Sequence, residues 1–243
     1  MEKTAIQFSG GKDSLAVLHM LKPHTDEVTA YFCDTGDMYQ HIKDLVVKTC
    51  ENLNVKLKIV RPKMDIKDFH KENGLPSDIV PISKIEAMRD TFKNKGASLQ
   101  GSVHCCSLML WKPLHDAMIE DDIRVIVRGA KKADAHMSVP DGFIDERGVK
   151  YKNPLWEMTD NEVFKYLREN NIELPKHYSE VNCSFDCVGC SAFLYEAGTP
   201  GRLAWTKKNL PERWEYLRAR INTVRSVLED ETNRAKKSFM EAL

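Results

Sequence analysis

Six consecutive residues, Ser9-Gly10-Gly11-Lys12-Asp13-Ser14, carry the parts of an anion cradle. Paired glycines let an anion approach the backbone, the N–H groups of a following helix start point at it, and Lys12 with the Ser9 and Ser14 hydroxyls adds charge and donors. The set suits a pyrophosphate, whereas Gly-Gly alone would read as a tight turn. It is not a Walker A loop, because the glycine spacing differs and Lys12 is followed by Asp13 instead of Ser or Thr. The cysteines form a second constellation: Cys105-Cys106 are adjacent, and Cys187-Val188-Gly189-Cys190 make a C-x2-C far downstream. In a reducing compartment such residues are metal ligands, catalysts or free thiols before they are structural disulfides. Cys183 is a spare ligand, a sulfur carrier or a bystander. Cys33, in an apolar run, and Cys50, on a helical stripe, read as small core residues.

These residues need elements to hold them. Thr4 to Phe8 is short, apolar and β-prone, and behind the glycine loop Leu15, Leu18 and Leu21 recur on one helical face, so the pattern is strand, turn, helix. Val28 to Cys33 reads as a second strand and Met38, Ile42, Leu45, Val46 and Leu53 as a second helix. Leu57 to Val60 and Ile123 to Val127 give a third and fourth strand. Strands alternating with helices predict an α/β fold: a Rossmann-like open, mostly parallel sheet with helices on both faces. The glycine loop then sits at the carboxyl end of the first strand, the usual ligand crevice of such sheets. Asp34-Thr35-Gly36 closes the second strand, where a carboxylate commonly meets a ribose or adenine edge, although an ordinary strand-end turn has the same composition.

Between the third and fourth strands a polar section, about 61–104, is broken by Pro62, Pro76 and Pro81 and is expected to hold a helix around Lys84 to Asn94. Pro140 to Asn153 reads as a hairpin or loop excursion. Thr159-Asp160-Asn161-Glu162 is a capping box that should start a helix through Val163, Phe164 and Leu167. From Pro211 onward Trp214, Leu217, Ile221, Val224 and Leu228 mark a long amphipathic helix. Its basic residues, among them Arg213, Arg218 and Arg220, alternate with glutamates and read as a solvated face. Its apolar stripe packs on this chain or on a second copy, which would make a homodimer. The expected organisation is a nucleotide-binding domain over 1–175 and a cysteine-loop and helical segment over 176–243 packed on it.

The 243 residues hold 36 Lys plus Arg against 36 Asp plus Glu, so no global field exists to hold a polyanion or a membrane surface, and nucleic-acid contact would be local. With 42% hydrophobic and 30% charged residues the balance is globular, not disordered. The apolar stretch after Met1-Glu2-Lys3 is too short for a signal-peptide core, and no apolar run reaches about 18 residues. The expectation is a soluble, cytoplasmic protein.

The glycine loop resembles the signature of the PP-loop ATP pyrophosphatases, the adenine nucleotide alpha hydrolases. Asp34-Thr35-Gly36, Arg128-Gly129-Ala130-Lys131-Lys132-Ala133-Asp134 and Asn153-Pro154-Leu155-Trp156-Glu157-Met158-Thr159 resemble, in order, the phosphoadenylyl sulfate (PAPS) reductase family within that superfamily. The resemblance covers roughly residues 4 to 190. It implies an adenine nucleotide as ligand, ATP with Mg2+ or an adenylyl sulfate (APS or PAPS), held by Ser9, Gly10, Gly11, Lys12, Asp13, Ser14, Asp34, Thr35, Gly36, Arg128 and Gly129. Assimilatory APS reductases share the double cysteine and distant C-x2-C, which there hold a four-iron, four-sulfur cluster. The resemblance therefore implies Cys105, Cys106, Cys187 and Cys190 as ligands of a 4Fe-4S cluster, with a four-cysteine zinc site or no metal as the alternatives.

The resemblance fails at two places. APS and PAPS reductases attack sulfur with a cysteine in a C-terminal Glu-Cys-Gly-Leu-His-type tail, whereas this sequence ends Lys237-Ser238-Phe239-Met240-Glu241-Ala242-Leu243. The basic residues that follow the double cysteine in APS reductases are replaced by Ser107-Leu108-Met109-Leu110-Trp111. Both departures touch sulfite transfer, which needs a thiolate nucleophile. The leading expectation is an enzyme that cleaves ATP between the α and β phosphates, adenylates an acceptor and lets sulfur displace AMP. Lys12 and Asp13 would serve the phosphates and magnesium, Lys131 and Lys132 would neutralise developing charge, and Cys183 or the cluster would pass on sulfur. A cysteine desulfurase or reductant protein would be the partner, and the resemblance to the tRNA-thiolating members implies nucleic acid as one acceptor. An APS or PAPS reductase with a displaced nucleophile is the runner-up, and a non-catalytic nucleotide-binding iron–sulfur protein the third reading.

Overall fold

A computed structural model describes residues 2–22, 27–94 and 96–242; Met1, residues 23–26, Lys95 of the polar section and Leu243 lie outside the described residues. In chain order the chain forms β1 (Thr4–Gln7), α1 (Lys12–Met20), β2 (Val28–Cys33), α2 (Gln40–Asn52), β3 (Lys56–Val60), α3 (Ile66–Asn73), β4 (Leu75–Ser77), β5 (Leu99–Gly101) and α4 (Ser102–Cys106). There follow α5 (Lys112–Glu120), β6 (Val125–Val127), β7 (Lys150–Lys152), α6 (Asp160–Glu169), α7 (Thr199–Asn209) and α8 (Pro211–Ala242).

The main sheet has the order β3-β2-β1-β6-β7, and every pairing in it is parallel. Side chains of successive strand residues point to opposite faces. Ile6, Ala30, Phe32, Val125 and Val127 accordingly pack with Leu15, Leu18, Ile42, Val46, Val163 and Leu167 on one side. Ala5, Tyr31, Cys33 and Ile126 pack with Leu114 and Met118 of α5 on the other. Helices thus cover both faces, as the apolar strands require. The Rossmann-like expectation holds. Cys33 and Cys50 are buried in the core. No helix among the described residues is long and apolar enough to cross a membrane.

One local expectation is corrected and two are extended. Lys84 to Asn94 forms no α-helix: short 3-10 turns at Ile82–Lys84 and Glu86–Met88 are separated by Ile85 in extended conformation. Tertiary partners hold that segment, with the Ser83 hydroxyl donating to Glu231 of α8 at 2.7 Å and the Ser98 hydroxyl and Arg89 donating to Glu86. The polar section also contains α3 and a two-stranded parallel sheet, β4-β5, which no periodicity announced. Within Pro140 to Asn153 the expected hairpin forms, the Tyr151 N–H donating to the Phe143 carbonyl at 2.8 Å and the Asp145 N–H to the Val149 carbonyl at 3.0 Å beside the Ile144–Lys150 bridge, and β7 adds a fifth parallel strand beside β6. β7 is three residues long, with a single aromatic between two lysines, so it carries no apolar run to read. The capping box forms as expected: Thr159 Oγ1 accepts from the Glu162 N–H at 3.3 Å and Glu162 accepts from the Thr159 N–H at 2.7 Å.

Between α4 and α5 the chain widens into a π-helical turn over Ser107–Trp111. The double cysteine lies immediately before it.

Candidate nucleotide and thiol site

The chain winds from β1 toward β2 and β3 on one side and returns to β6 on the other, so the topological switch lies between β1 and β6. Ligands of open α/β sheets bind at that point. The two motifs meet there. Gly129, just after β6, lies so close to the start of α1 that an added Cβ would stand 2.8 Å from the Asp13 carbonyl carbon and 2.9 Å from the Ser14 nitrogen. Gly10 has φ +78°, a conformation that favours glycine, and faces Val46 and Ile42 of α2. Ser14 Oγ donates to the Gly11 carbonyl at 3.0 Å, leaving Gly11 as the N-cap of α1 without a side-chain cap. The first N–H groups of α1 therefore point out of the turn, apart from that of Lys12, which donates to Tyr178 Oη at 3.3 Å.

Five charged side chains interlock beside this turn. Lys12 Nζ lies 2.7 Å from Asp13 and 2.9 Å from Asp160, while Lys131 Nζ lies 2.9 Å from Asp13, 3.3 Å from Asp160 and 3.4 Å from Asp134. Both lysines are buried. Burial works against the Lys131 ammonium, but the hydrogen bond and charge of Asp13, with Asp134 and Asp160 behind it, hold its pKa above the usual lysine value. Burial likewise opposes the Asp160 carboxylate, and Lys12 and Lys131 together bring it below the ordinary range. Lys132 is exposed, 3.8 Å from Glu157.

The network forms one wall of a cavity of about 980 Å³, and Cys106, Cys183, Cys187 and Cys190 line the same cavity with Trp156 and Arg202. A smaller cavity of about 340 Å³ adjoins it, reached by Ser9, Asp13, Ser14, Arg128 and Gly129. Cys105 is buried behind the rim and packs with Ile66, Phe69, Met109 and Cys187. Burial pushes its thiol up to about 12, with the charge of Cys190 adding to the effect; burial raises Cys106, Cys183, Cys187 and Cys190 as well.

The C-x2-C loop is strapped to the turn after β2. The Val188 N–H donates to the Asp37 carbonyl at 2.7 Å, the Gly189 N–H donates to the Asp37 carboxylate at 2.8 Å, and Arg213 of α8 donates to the same carboxylate. Thr35 Oγ1 lies 3.3 Å from Cys187 Sγ. The four thiols thus converge from two directions, α4 and this loop.

Whether they fit an iron–sulfur cluster is tested by the charges around them. Arg202 and Arg220 are buried and the Nε atom of each lacks a hydrogen-bond partner; the Asp186 carboxylate opposes the charge of Arg202, whereas no carboxylate among the described residues pairs with Arg220. A buried cation without a counter-ion is costly. Four thiolates around an iron–sulfur core supply net negative charge at that place, whereas four neutral thiols do not, so the donor set fits the cluster. Among the described residues no three His, Cys, Asp or Glu side chains stand in the arrangement that would hold a single metal ion.

A family model describing the phosphoadenosine phosphosulfate reductase domain matches residues 3–193. The chain belongs to this family. Within the PAPS reductase domain family it is 24% identical over 184 residues to an adenosine 5'-phosphosulfate reductase of Salinibacter ruber, a match covering 74% of this chain and 64% of that protein. It is 23% identical over 177 residues to a phosphoadenosine 5'-phosphosulfate reductase of Xanthomonas axonopodis pv. citri, covering 72% and 65%. The chain therefore spans slightly under two thirds of the length of these relatives. A shorter stretch of 60 residues is 47% identical to a tRNA-5-methyluridine(54) 2-sulfurtransferase of Thermotoga maritima, 24% of this chain and 20% of that one. Among solved structures, the PAPS reductase of Candida auris in a phosphate complex superposes with a TM-score of 0.54 at 20% identity, covering 76% of this chain and 82% of that one, which shows the fold.

In this member of the PAPS reductase domain family, Ser9 to Ser14, Arg128, Gly129 and Lys131 come together at the switch point. Asp34, Thr35 and Gly36 line neither cavity. Asp34 is neutralised instead by Lys43 at 2.8 Å and Arg61 at 3.6 Å. Burial opposes its carboxylate, yet Lys43 and the Gly36 N–H hold its pKa below the ordinary range. The Asp-Thr-Gly turn thus anchors the cysteine loop through Thr35 and the neighbouring Asp37. Arg213 and Arg220, read as solvated, face inward to Asp37 and His70. Asp160, Tyr178, Arg202 and Asp37 went unread. Only Asp160 had a signal, as the first residue of a capped helix; the others are single polar residues whose role depends on tertiary packing.

Proposed function

We propose that the chain is a magnesium-dependent ATP pyrophosphatase that activates an acceptor oxygen for replacement by sulfur. The observation that carries this reading is the alternation of Asp13 and Asp160 with Lys12 and Lys131 on the wall of the cavity that the thiols also line. Two carboxylates repel a bare anionic phosphosulfate but take up the divalent cation of a metal–triphosphate, while the freed ammonium groups meet the phosphate oxygens. The glycine turn and the start of α1 supply backbone donors to the same anion.

The acceptor oxygen attacks the α phosphorus; a new P–O bond forms, the α–β bridging P–O bond breaks, and pyrophosphate leaves with magnesium. Lys12 and Lys131 stabilise the charge that develops. Sulfur at the sulfide level then attacks the activated carbon, the C–S bond forms, and AMP departs with its oxygen. Where sulfur comes as a persulfide from a desulfurase, a second thiol opens the resulting S–S bond and ends in a disulfide that a reductant protein reopens. Cys183 stands in the cavity wall, its Sγ donating to the Gly198 carbonyl at 3.5 Å, and this reading assigns that exchange to it. Cys105, Cys106, Cys187 and Cys190 would hold a 4Fe-4S cluster, which when bound supplies electron transfer or a soft-anion binding centre.

The names of the reductase relatives favour a second reading, reduction of APS or PAPS. One set of assays on anaerobically purified protein separates the two. Nucleotide binding is titrated with and without Mg2+, and turnover is followed as pyrophosphate from ATP and as sulfite from APS or PAPS. Magnesium-dependent ATP binding with pyrophosphate release supports the proposal; sulfite release with metal-independent binding of APS or PAPS replaces it.

A further inference from the structure

Behind the double cysteine a chain of buried polar atoms runs from α8 to Cys105. Arg220 Nη2 lies 2.7 Å from His70 Nδ1, and His70 Nε2 lies 3.3 Å from Cys105 Sγ. Arg220 also donates to Tyr216 Oη at 3.1 Å and stacks over the Tyr216 ring at 5.2 Å. Arg220 and His70 are 8% and 6% exposed, so water does not scramble the pattern. A guanidinium has donors and no acceptor. Nδ1 must therefore accept, the imidazole proton is confined to Nε2, and the bond to Cys105 has His70 as donor.

We infer that His70, its tautomer set by Arg220, is a positioning residue that donates a hydrogen bond to Cys105 Sγ and stabilises that sulfur as an electron-rich metal ligand. This rests on the cluster reading above. Partners of this outer kind orient ligands, and their loss typically weakens metal sites by roughly 10- to 100-fold. Thr35 Oγ1 stands 3.3 Å from Cys187 Sγ on the cavity side, and His70 supplies the corresponding donor at the buried end of the set. Cys105 is held from behind the rim, while Cys106, Cys187 and Cys190 line the cavity from which substrate arrives.

The test pairs two measurements on the full-length protein. Long-range 1H–15N spectra of 15N-histidine-labelled protein report the His70 tautomer, with the signal identified by its absence in His70→Gln. The expected result is the Nε2–H form, preserved in Arg220→Lys, which keeps a donor, and mixed in Arg220→Leu. Iron retention against a chelator is then compared under anaerobic conditions. His70→Phe, which keeps a ring of similar bulk without a donor, is expected to lose iron about tenfold faster than wild type or more. His70→Gln, whose amide nitrogen replaces Nε2, should stay within about threefold. An Nδ1–H form in the wild type overturns the inference, as does equal iron retention in wild type and His70→Phe. If the wild type binds no iron, the cluster reading fails, and the tautomer spectrum alone decides whether Cys105 receives the bond.

Discussion

Asp13 lies between two ammonium groups, Lys12 at 2.7 Å and Lys131 at 2.9 Å, and its carboxylate is the pivot of the charge balance in the cavity. Asp13→Asn should abolish the Mg2+ dependence of ATP binding while leaving metal-free nucleotide bound as well as before or better; calorimetric titration with and without Mg2+ checks this. Lys131→Ala should weaken nucleotide binding roughly 10- to 100-fold, the size of a charge-assisted hydrogen bond, with no comparable loss of folded protein by circular dichroism. His177 offers a pH test. It stacks on Phe185 at 3.9 Å, and burial, then the neighbouring His41, lowers its pKa to about 4 from the ordinary 6.5. The native state holds the neutral form, so this contribution is complete above about pH 6.5 and is lost as pH falls from there toward 4. The loss is on the order of 2 kcal/mol. Denaturant melts from pH 7.5 to 4.5 should show the decline, and His177→Phe should flatten it; an unchanged slope in that variant would assign the decline to other groups.

At the scale of elements, the glycine turn and the capping box were legible because each is a local device whose partners lie within a few residues. Thr159→Ala should cost about 1 kcal/mol through the lost cap of α6, a fall of roughly 2–4 °C in melting temperature. The contact between Gly129 and the start of α1 has no such local signature. Two backbone segments touch there, and neither can move aside as a flexible side chain would. Gly129→Ala should therefore weaken nucleotide binding more than Thr159→Ala does, even where the two variants melt alike, and a titration of both with ATP decides it. The strands of the main sheet were readable where they are apolar on both faces. β4, β5 and β7 were not, being three residues each and held by their neighbours more than by their own pattern.

For the molecule as a whole, sequence carried the family and the meeting of phosphate loop with cysteines, but not the way α8 closes the thiol site. Leu217 and Val224 of its stripe are buried within this chain, so the helix is part of the body that carries the cavity. Arg213 reaches Asp37, Arg220 reaches His70, and both had looked like surface charges because interleaved glutamates mask inward-facing arginines. Asp37→Ala should free the C-x2-C loop, seen as faster proteolysis between 183 and 198 and loss of any bound iron, with the β-sheet signal retained. The π-helical turn over Ser107–Trp111 ties the scales together. A wide turn holds one residue more than an α-helix would, and each residue rotates a helix by about 100°. Deleting the exposed Leu108 would remove the extra residue of that turn, leave the gap that Pro113, without an N–H, makes in the backbone ladder, and swing the double cysteine about a quarter-turn out of phase with Cys187 and Cys190. A single codon thus stands between a chain that can gather four thiols and one that keeps the fold and the phosphate loop without them, a short route by which descendants of such a protein could shed sulfur chemistry while keeping nucleotide binding.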